Sequence, residues 1–72
     1  MRVRYKDCVI SIDTAMCDGR RLVFKSSSGK RYYTREYVHE NMAFRMLCCL
    51  TKDGYIVVDK LYTDEDLKGD NI

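Results

Sequence analysis

Apolar and polar residues alternate along the first half of the chain, whereas from about residue 37 the apolar residues recur at helical spacing. Alternation is typical of β-strands with one buried face, and a period near 3.6 is typical of an amphipathic helix. Two alternating segments, Arg2–Tyr5 and Cys8–Ile12, predict strands. In the first segment the even-numbered residues are charged, whereas in the second the even-numbered residues are apolar. This shift predicts a bulge or bend near Lys6 and Asp7. It leaves open whether the two segments are one bent strand.

Residues 20–38 predict a β-hairpin, reached through a loop over residues 13–19 that ends in the turn signal Asp18-Gly19. The tripeptide Ser27-Ser28-Gly29 suits a three-residue turn whose last position is left-handed, a conformation that glycine adopts freely. In the resulting register the buried face pairs Leu22 with Thr34 and Phe24 with Tyr32. The outer face pairs Arg21 with Arg35, Val23 with Tyr33 and Lys25 with Arg31.

Two of these outer pairs place like charges opposite each other, which is unfavourable in an antiparallel sheet. Such a face needs acidic neighbours or an anionic partner. It is interpreted either as a solvated face neutralised by the acidic C-terminal segment or as a binding face. Both interpretations depend on the register, because a shift of one residue between the two strands would exchange the buried and outer faces. For the second interpretation the candidate partner-binding residues are Arg21, Lys25, Arg31, Tyr33 and Arg35.

The period over residues 37–52 predicts a helix that stops at Gly54. Its buried stripe is expected to contain Val38, Met42, Met46, Cys49 and Leu50, widened by Ala43 and Leu47. A last strand is predicted over Tyr55–Tyr62, and Thr63 with Asp66 is expected to cap a short helical turn.

The element order β-β-β-β-α-β predicts one α+β domain over residues 1–67, a mainly antiparallel sheet of four to five strands with one helix on a face. Residues 68–72 are expected to form a frayed tail. A chain of this size buries only about 60% of the surface that its unfolded form exposes, so its stability is expected to be modest. The expected core contains Leu22, Phe24, Tyr32, Met42, Met46, Leu50, Ile56 and Val58.

A second apolar group, Tyr37, Phe44 and Cys48, falls on the opposite side of the predicted helix. Grouped exposed apolar residues suggest a contact. Two interpretations stay open: an internal cover by the curled sheet or the C-terminal tail, or a contact with a second subunit, as in a homodimer, or with another partner.

The net charge of +2 hides an asymmetry between the two halves of the chain. Residues 1–36 hold nine Lys and Arg against four acids, a charge of +5, and residues 37–72 hold four against seven, a charge of −3. The basic half of such a dipolar molecule can attract an anionic surface.

The residue types give little support to catalysis. Four cysteines and one histidine, His39, match no metal-ligand spacing, and His39 lies too far along the predicted helix to activate Cys48 or Cys49 directly. We therefore expect free thiols, no metal, no cofactor and no enzyme activity. The charged N-terminal residues lack the apolar run of a signal peptide, which predicts a cytoplasmic protein without a membrane partner.

These observations favour action by binding. The first hypothesis is a small accessory protein that docks on a larger protein or nucleoprotein machine and modulates it. Short chains of this type are common among phage and mobile-element inhibitors of host enzymes or defence systems, such as CRISPR effectors. The basic face would compete for a surface that holds nucleic acid or an acidic partner. The alternatives are direct nucleic-acid binding through the interleaved Tyr and Arg residues of the hairpin, and a structural homo-oligomer.

Overall fold

The computed structural model describes residues 1–69, which form one mainly antiparallel sheet with a helix packed on it. Along the chain the elements are β1 (Arg2–Tyr5), β2 (Cys8–Asp18), β3 (Arg21–Ser26), β4 (Arg31–Tyr33), α1 (Glu40–Asp53), β5 (Tyr55–Val58), β6 (Tyr62–Thr63) and α2 (Asp64–Gly69). The predicted α+β class is confirmed. Six strands are present among the described residues, where four to five were predicted.

The first two predicted strands, β1 and β2, form a hairpin and not one bent strand. Lys6 and Asp7 make the two-residue turn between them, and Lys6 takes a left-handed conformation with φ 55°. The bulge predicted at this point is wrong, because a tight reversal resets the faces and explains the change of parity by itself. The irregularity lies further on, between Ile12 and Thr14.

The segment predicted as a loop before the second hairpin is part of β2, which continues as far as Asp18. The alternation of Thr14 to Cys17 is weak in sequence because Ala15 and Cys17 are small, yet both are half-buried while their neighbours are exposed. The first half of β2 pairs with β1 and the second half with β3. The irregularity between Ile12 and Thr14 therefore lies where the pairing of β2 passes from β1 to β3.

The predicted last strand, Tyr55–Tyr62, is divided into two strands at opposite ends of the sheet order β5-β1-β2-β3-β4-β6. Six strands in a row are separated by five intervals of about 4.8 Å, so in a flat sheet the outermost strands would lie about 24 Å apart. Only residues 59–61 separate β5 from β6, and the four Cα steps from residue 58 to residue 62 reach at most about 14 Å. The sheet is therefore curled, with its two ends near each other.

The core lies inside this curl, where α1 packs against β2, β3 and β5. Of the predicted core, Tyr32 and Met46 are half-buried, and the expectation for Met42 is wrong because it is 42% exposed. The fully buried Ala43 faces the sheet in its place, and Val38 and Cys49 are also exposed. The buried apolar residues are Val3, Ile12, Leu22, Phe24, Tyr37, Ala43, Leu50, Ile56 and Val58.

Both predicted helix signals at residues 54 and 63–66 are confirmed. Gly54 has φ 73° and its N–H donates to the carbonyl oxygen of Leu50 at 2.8 Å. The Thr63 N–H donates to Asp66 Oδ2 at 2.9 Å, and the Asp66 N–H donates back to Thr63 Oγ1 at 3.4 Å. Helix α2 extends to Gly69, so residues 68 and 69 of the expected tail are helical, and residues 70–72 lie outside the described residues. Across residues 1–69, no helix is both long and apolar enough to span a membrane.

Thr34 connects the end of the second hairpin to the core. It is fully buried, and its Oγ1 accepts the Leu22 N–H at 2.9 Å and donates to the carbonyl oxygen of Arg35 at 3.0 Å. Its own N–H donates to the carbonyl oxygen of Leu22 at 3.0 Å. The hydroxyl therefore satisfies a buried backbone donor of β3 where β4 has already ended.

We expect Thr34→Val to destabilise the protein by about 1–3 kcal/mol, because the buried Leu22 N–H loses its acceptor. Urea unfolding measures the change. Thr34→Ser is the control: it keeps the hydroxyl and removes one methyl group, so it should cost less than the valine variant. Equal stability of Thr34→Val and the wild type would contradict the account of this residue.

Candidate binding surface on the hairpin

The hairpin of β3 and β4 has the register that the turn chemistry predicts. Gly29 takes φ 90° at the tip, its N–H donates to the carbonyl oxygen of Ser26 at 2.9 Å, and the Ser26 N–H donates to that of Lys30 at 2.8 Å. The observed partners are Val23 and Tyr33, Phe24 and Tyr32, and Lys25 and Arg31. The outer face of the hairpin therefore carries Val23, Lys25, Arg31 and Tyr33, as predicted.

Arg21, a predicted partner-binding residue, lies at the end of the hairpin away from the tip and is engaged by an acid. Its Nη2 lies 3.0 Å from Glu36 Oε1, and Nη2 of Arg20 lies 3.0 Å from Glu36 Oε2. The hydrogen bonds from Arg20 and then Arg21, with their charges, hold the pKa of Glu36 below its ordinary value. One carboxylate thus binds two guanidinium groups.

Arg35 is also neutralised, by a residue that follows β5. Its Nε lies 2.8 Å from Asp59 Oδ2, and its guanidinium carbon lies 5.1 Å from the centroid of the Tyr37 ring. The charges of Arg21 and Arg35 are therefore balanced by acidic neighbours, one of the two conditions expected for this face, and each side chain turns to its own carboxylate. The Arg35–Asp59 ion pair also joins the two ends of the curled sheet.

Lys25 and Arg31 remain as the like-charged pair of the hairpin. They lie directly opposite each other, both are exposed, and neither makes an ion pair within residues 1–69. Beside them on β2, Met16 is 61% exposed and pairs with Val23. These side chains surround one shallow depression, whose lining is Thr14, Ala15, Met16, Val23, Lys25 and Arg31.

Tyr33, the aromatic member of the predicted face, points its hydroxyl to the start of α2. It donates a hydrogen bond to Asp64 Oδ1 at 2.5 Å, and this bond raises the pKa of Tyr33 while the nearby Arg31 opposes the increase. Arg31 and Lys30 share a second depression with Asp64 and Glu65. The basic pair is therefore bordered by carboxylates on the α2 side and by apolar residues on the β2 side.

The second predicted group, Tyr37, Phe44 and Cys48, does not form one surface. Tyr37 is only 6% exposed and belongs to the core, where burial raises its pKa. Phe44 is 60% exposed, and Cys48 is exposed one turn further along α1. Phe44 borders a shallow depression with Cys17 at the end of β2. The predicted patch is thus reduced to Phe44 and Cys48. All four cysteines of the chain are free thiols.

Sequence reasoning missed two features of the surface. The sequence predicts a loop at Met16, which does not indicate its place beside Lys25. A second basic surface on the outer face of β1 was missed as well. The alternation of Arg2 and Arg4 was the available signal, but the pairing of β1 with β5, which places Tyr55 beside Arg2, is a long-range contact.

Comparisons of the chain with protein-family models, with curated proteins and with solved structures found no match. Within residues 1–69, no group of three or more His, Cys, Asp or Glu side chains is arranged to hold a metal ion. The function proposed below rests on the geometry of the chain's own residues.

We expect Glu36→Gln to lower the free energy of unfolding at neutral pH and to have no effect in acid. The pKa of Glu36 is lowered in the folded state, so its stabilising effect is complete above the unfolded value near 4.5 and disappears as the pH falls through the folded pKa. Urea midpoints of both proteins across this range measure the effect. Added salt should reduce the difference, because exposed ion pairs are screened. A difference that grows in acid would contradict the assignment.

Proposed function

We propose that the protein acts by binding, and that it docks the outer face of its β3–β4 hairpin onto an acidic site of a larger protein or nucleoprotein complex. The Lys25–Arg31 pair carries this proposal. Like charges opposite each other destabilise an isolated sheet. The other arginines of the hairpin segment, Arg20, Arg21 and Arg35, each have a carboxylate partner. A carboxylate supplied by a partner would relieve the one repulsion that remains.

The surroundings of the basic pair favour a protein partner over a strand of nucleic acid. Met16 and Val23 supply an apolar centre next to the charges, the arrangement of a protein interface with a polar rim. Methionine adapts its shape to an incoming side chain. On the other side, Asp64 and Glu65 would repel a phosphate chain that ran past Arg31. The partner surface that fits has an apolar side chain for the depression and carboxylates for Lys25 and Arg31.

The positive charge of the hairpin face determines which kind of site on the partner the protein could cover. A basic face does not mimic nucleic acid. It would instead cover an acidic site, such as a carboxylate cluster of a nucleic-acid enzyme, and would act there as an inhibitor. An inhibitor of a host enzyme or of a defence complex, a CRISPR effector among them, is the specific form of this proposal. The small size of the domain and its exposed basic pair support it.

We expect Lys25→Glu to abolish docking while the stability is unchanged or increased by about 0.2–1 kcal/mol, because the repulsive pair becomes an attractive one. Affinity capture with nuclease treatment measures docking, and urea unfolding measures stability. Lys60→Glu is the matched control, since it reverses one exposed charge outside the hairpin.

A partner that the wild type and Lys60→Glu capture and Lys25→Glu does not would support the proposal. Equal capture of that partner by all three proteins would show that the hairpin face is only solvated surface. Capture that disappears after nuclease treatment would indicate a contact through nucleic acid, which the proposed function does not predict.

A further inference from the structure

The outer face of β1 forms a second basic surface on strands different from those of the hairpin. Arg2 and Arg4 project from this face, and each is flanked on both sides by a residue of a neighbouring strand. The cross-strand neighbours of Arg2 are Tyr55 and Ser11, and those of Arg4 are Val57 and Val9. All of these side chains are exposed. The surface therefore has two cations at its centre, with the Tyr55 ring, the Ser11 hydroxyl and two valine side chains on either side of them.

The positive charge of this surface has no acidic partner among the described residues. Neither Arg2, Arg4 nor the neighbouring Lys6 makes an ion pair within residues 1–69. The Nε of Arg4 donates to the carbonyl oxygen of Lys6 at 3.1 Å, which holds the guanidinium over the β1–β2 turn. No carboxylate occupies a cross-strand position beside either arginine. This contrasts with the hairpin, where carboxylates lie next to Arg21, Arg31 and Arg35.

An aromatic ring lies next to the cations. The guanidinium carbon of Arg2 is 6.0 Å from the centroid of the Tyr55 ring, and Tyr55 is 36% exposed. Strand β5, which carries Tyr55, is an outer strand of the sheet order, and within residues 1–69 it pairs only with β1. A ring at the edge of a sheet with an arginine beside it offers a stacking plane and a phosphate contact at the same place.

The turn after β1 carries a further cation, Lys6, which does not belong to the outer surface. Lys6 has φ 55°, where glycine is ordinarily favoured because it has no Cβ. Its Nζ lies 5.2 Å from the centroid of the Tyr5 ring. A two-residue hairpin turn requires a positive φ, which explains this conformation. Because Tyr5 packs against the core, the Lys6 charge lies toward the inner side of β1 and apart from Arg2 and Arg4.

We propose that the outer face of β1 and β5 binds single-stranded nucleic acid, with Arg2 and Arg4 on the phosphates and a base stacked on Tyr55. A single strand fits better than a duplex, because a base must be unstacked from its neighbours to meet the ring. The proposal does not depend on the proposed function, since it uses different strands. If both hold, one face binds the protein part and the other the nucleic-acid part of a nucleoprotein complex.

Fluorescence anisotropy with a short labelled oligothymidine, a short oligouridine and a duplex of the same length tests the proposal on the full chain. We expect at least one single strand to bind more tightly than the duplex, and the stronger of the two identifies DNA or RNA as the ligand. Tyr55→Ala should weaken this binding by roughly 5- to 150-fold, the range for removal of one stacked base. Tyr55→Phe keeps the ring and should retain the wild-type affinity.

The salt dependence identifies the arginines that neutralise phosphates. Replacing Arg2 and Arg4 together by alanine should reduce the slope of log K against log salt by about 1.4, which is about 0.7 for each phosphate that is no longer neutralised. Arg45→Ala removes an exposed charge from α1 and should leave the slope unchanged. Circular dichroism of each variant confirms that it is folded.

Three results would overturn the proposal. The first is the absence of measurable binding to either single strand at low salt. The second is a Tyr55→Ala variant that is folded and binds as tightly as the wild type. The third is a decrease in affinity for Lys25→Glu as large as that of the double arginine variant, because binding would then belong to the hairpin. Unchanged binding by Lys25→Glu supports the separation of the two surfaces.

Discussion

The short connection between β5 and β6 is the constraint on which the rest of the structure depends. Residues 59–61 join strands that lie at opposite ends of the sheet order, so the sheet must curl until its ends meet. The bulge in β2 allows this curl, and α1 fills its interior with Ala43 and Leu50. Both of these side chains are fully buried.

The curl also arranges the charges of the surface. It places Asp59 next to Arg35 and Asp64 next to Tyr33, although each pair is far apart in sequence. The acidic second half of the chain thereby neutralises part of the basic first half. On the strands, the tip of the hairpin beside Met16 and the outer face of β1 carry cations that make no ion pair among the described residues. Their surroundings differ, since the first has carboxylates on one side and the second has an exposed ring.

Local signals in the sequence predicted the elements more reliably than their partners. The Ser27-Ser28-Gly29 turn gave the correct hairpin register, and Gly54 gave the end of the helix, because both depend on the backbone freedom of one residue. The β1–β2 turn was misjudged because Lys6 occupies a conformation that few lysines adopt. The apolar period predicts the stripe on α1 but not which of its residues faces the sheet, where Ala43 is buried and Met42 is exposed.

The candidate site was predictable to the extent that it is local. The opposition of Lys25 and Arg31 follows from the turn, and the structure has it as predicted. The neutralisation of Arg35 does not follow from any neighbouring residue, because its carboxylate comes from a strand connection formed at the opposite end of the sheet. The partition of Tyr55–Tyr62 into β5 and β6 was missed for the same reason, since parallel pairing with β1 is a long-range contact.

The curl of the sheet, which brings the carboxylates to the hairpin, is tested most directly by nuclear Overhauser effects between backbone protons of paired strands. The account predicts two sets of contacts in one molecule: between Val3 and Ile56 for β1 with β5, and between Tyr33 and Tyr62 for β4 with β6. A continuous strand over Tyr55–Tyr62 that shows contacts to β1 alone would contradict it. The ion pair of Arg35 and the hydrogen bond of Tyr33 would then have no structural basis.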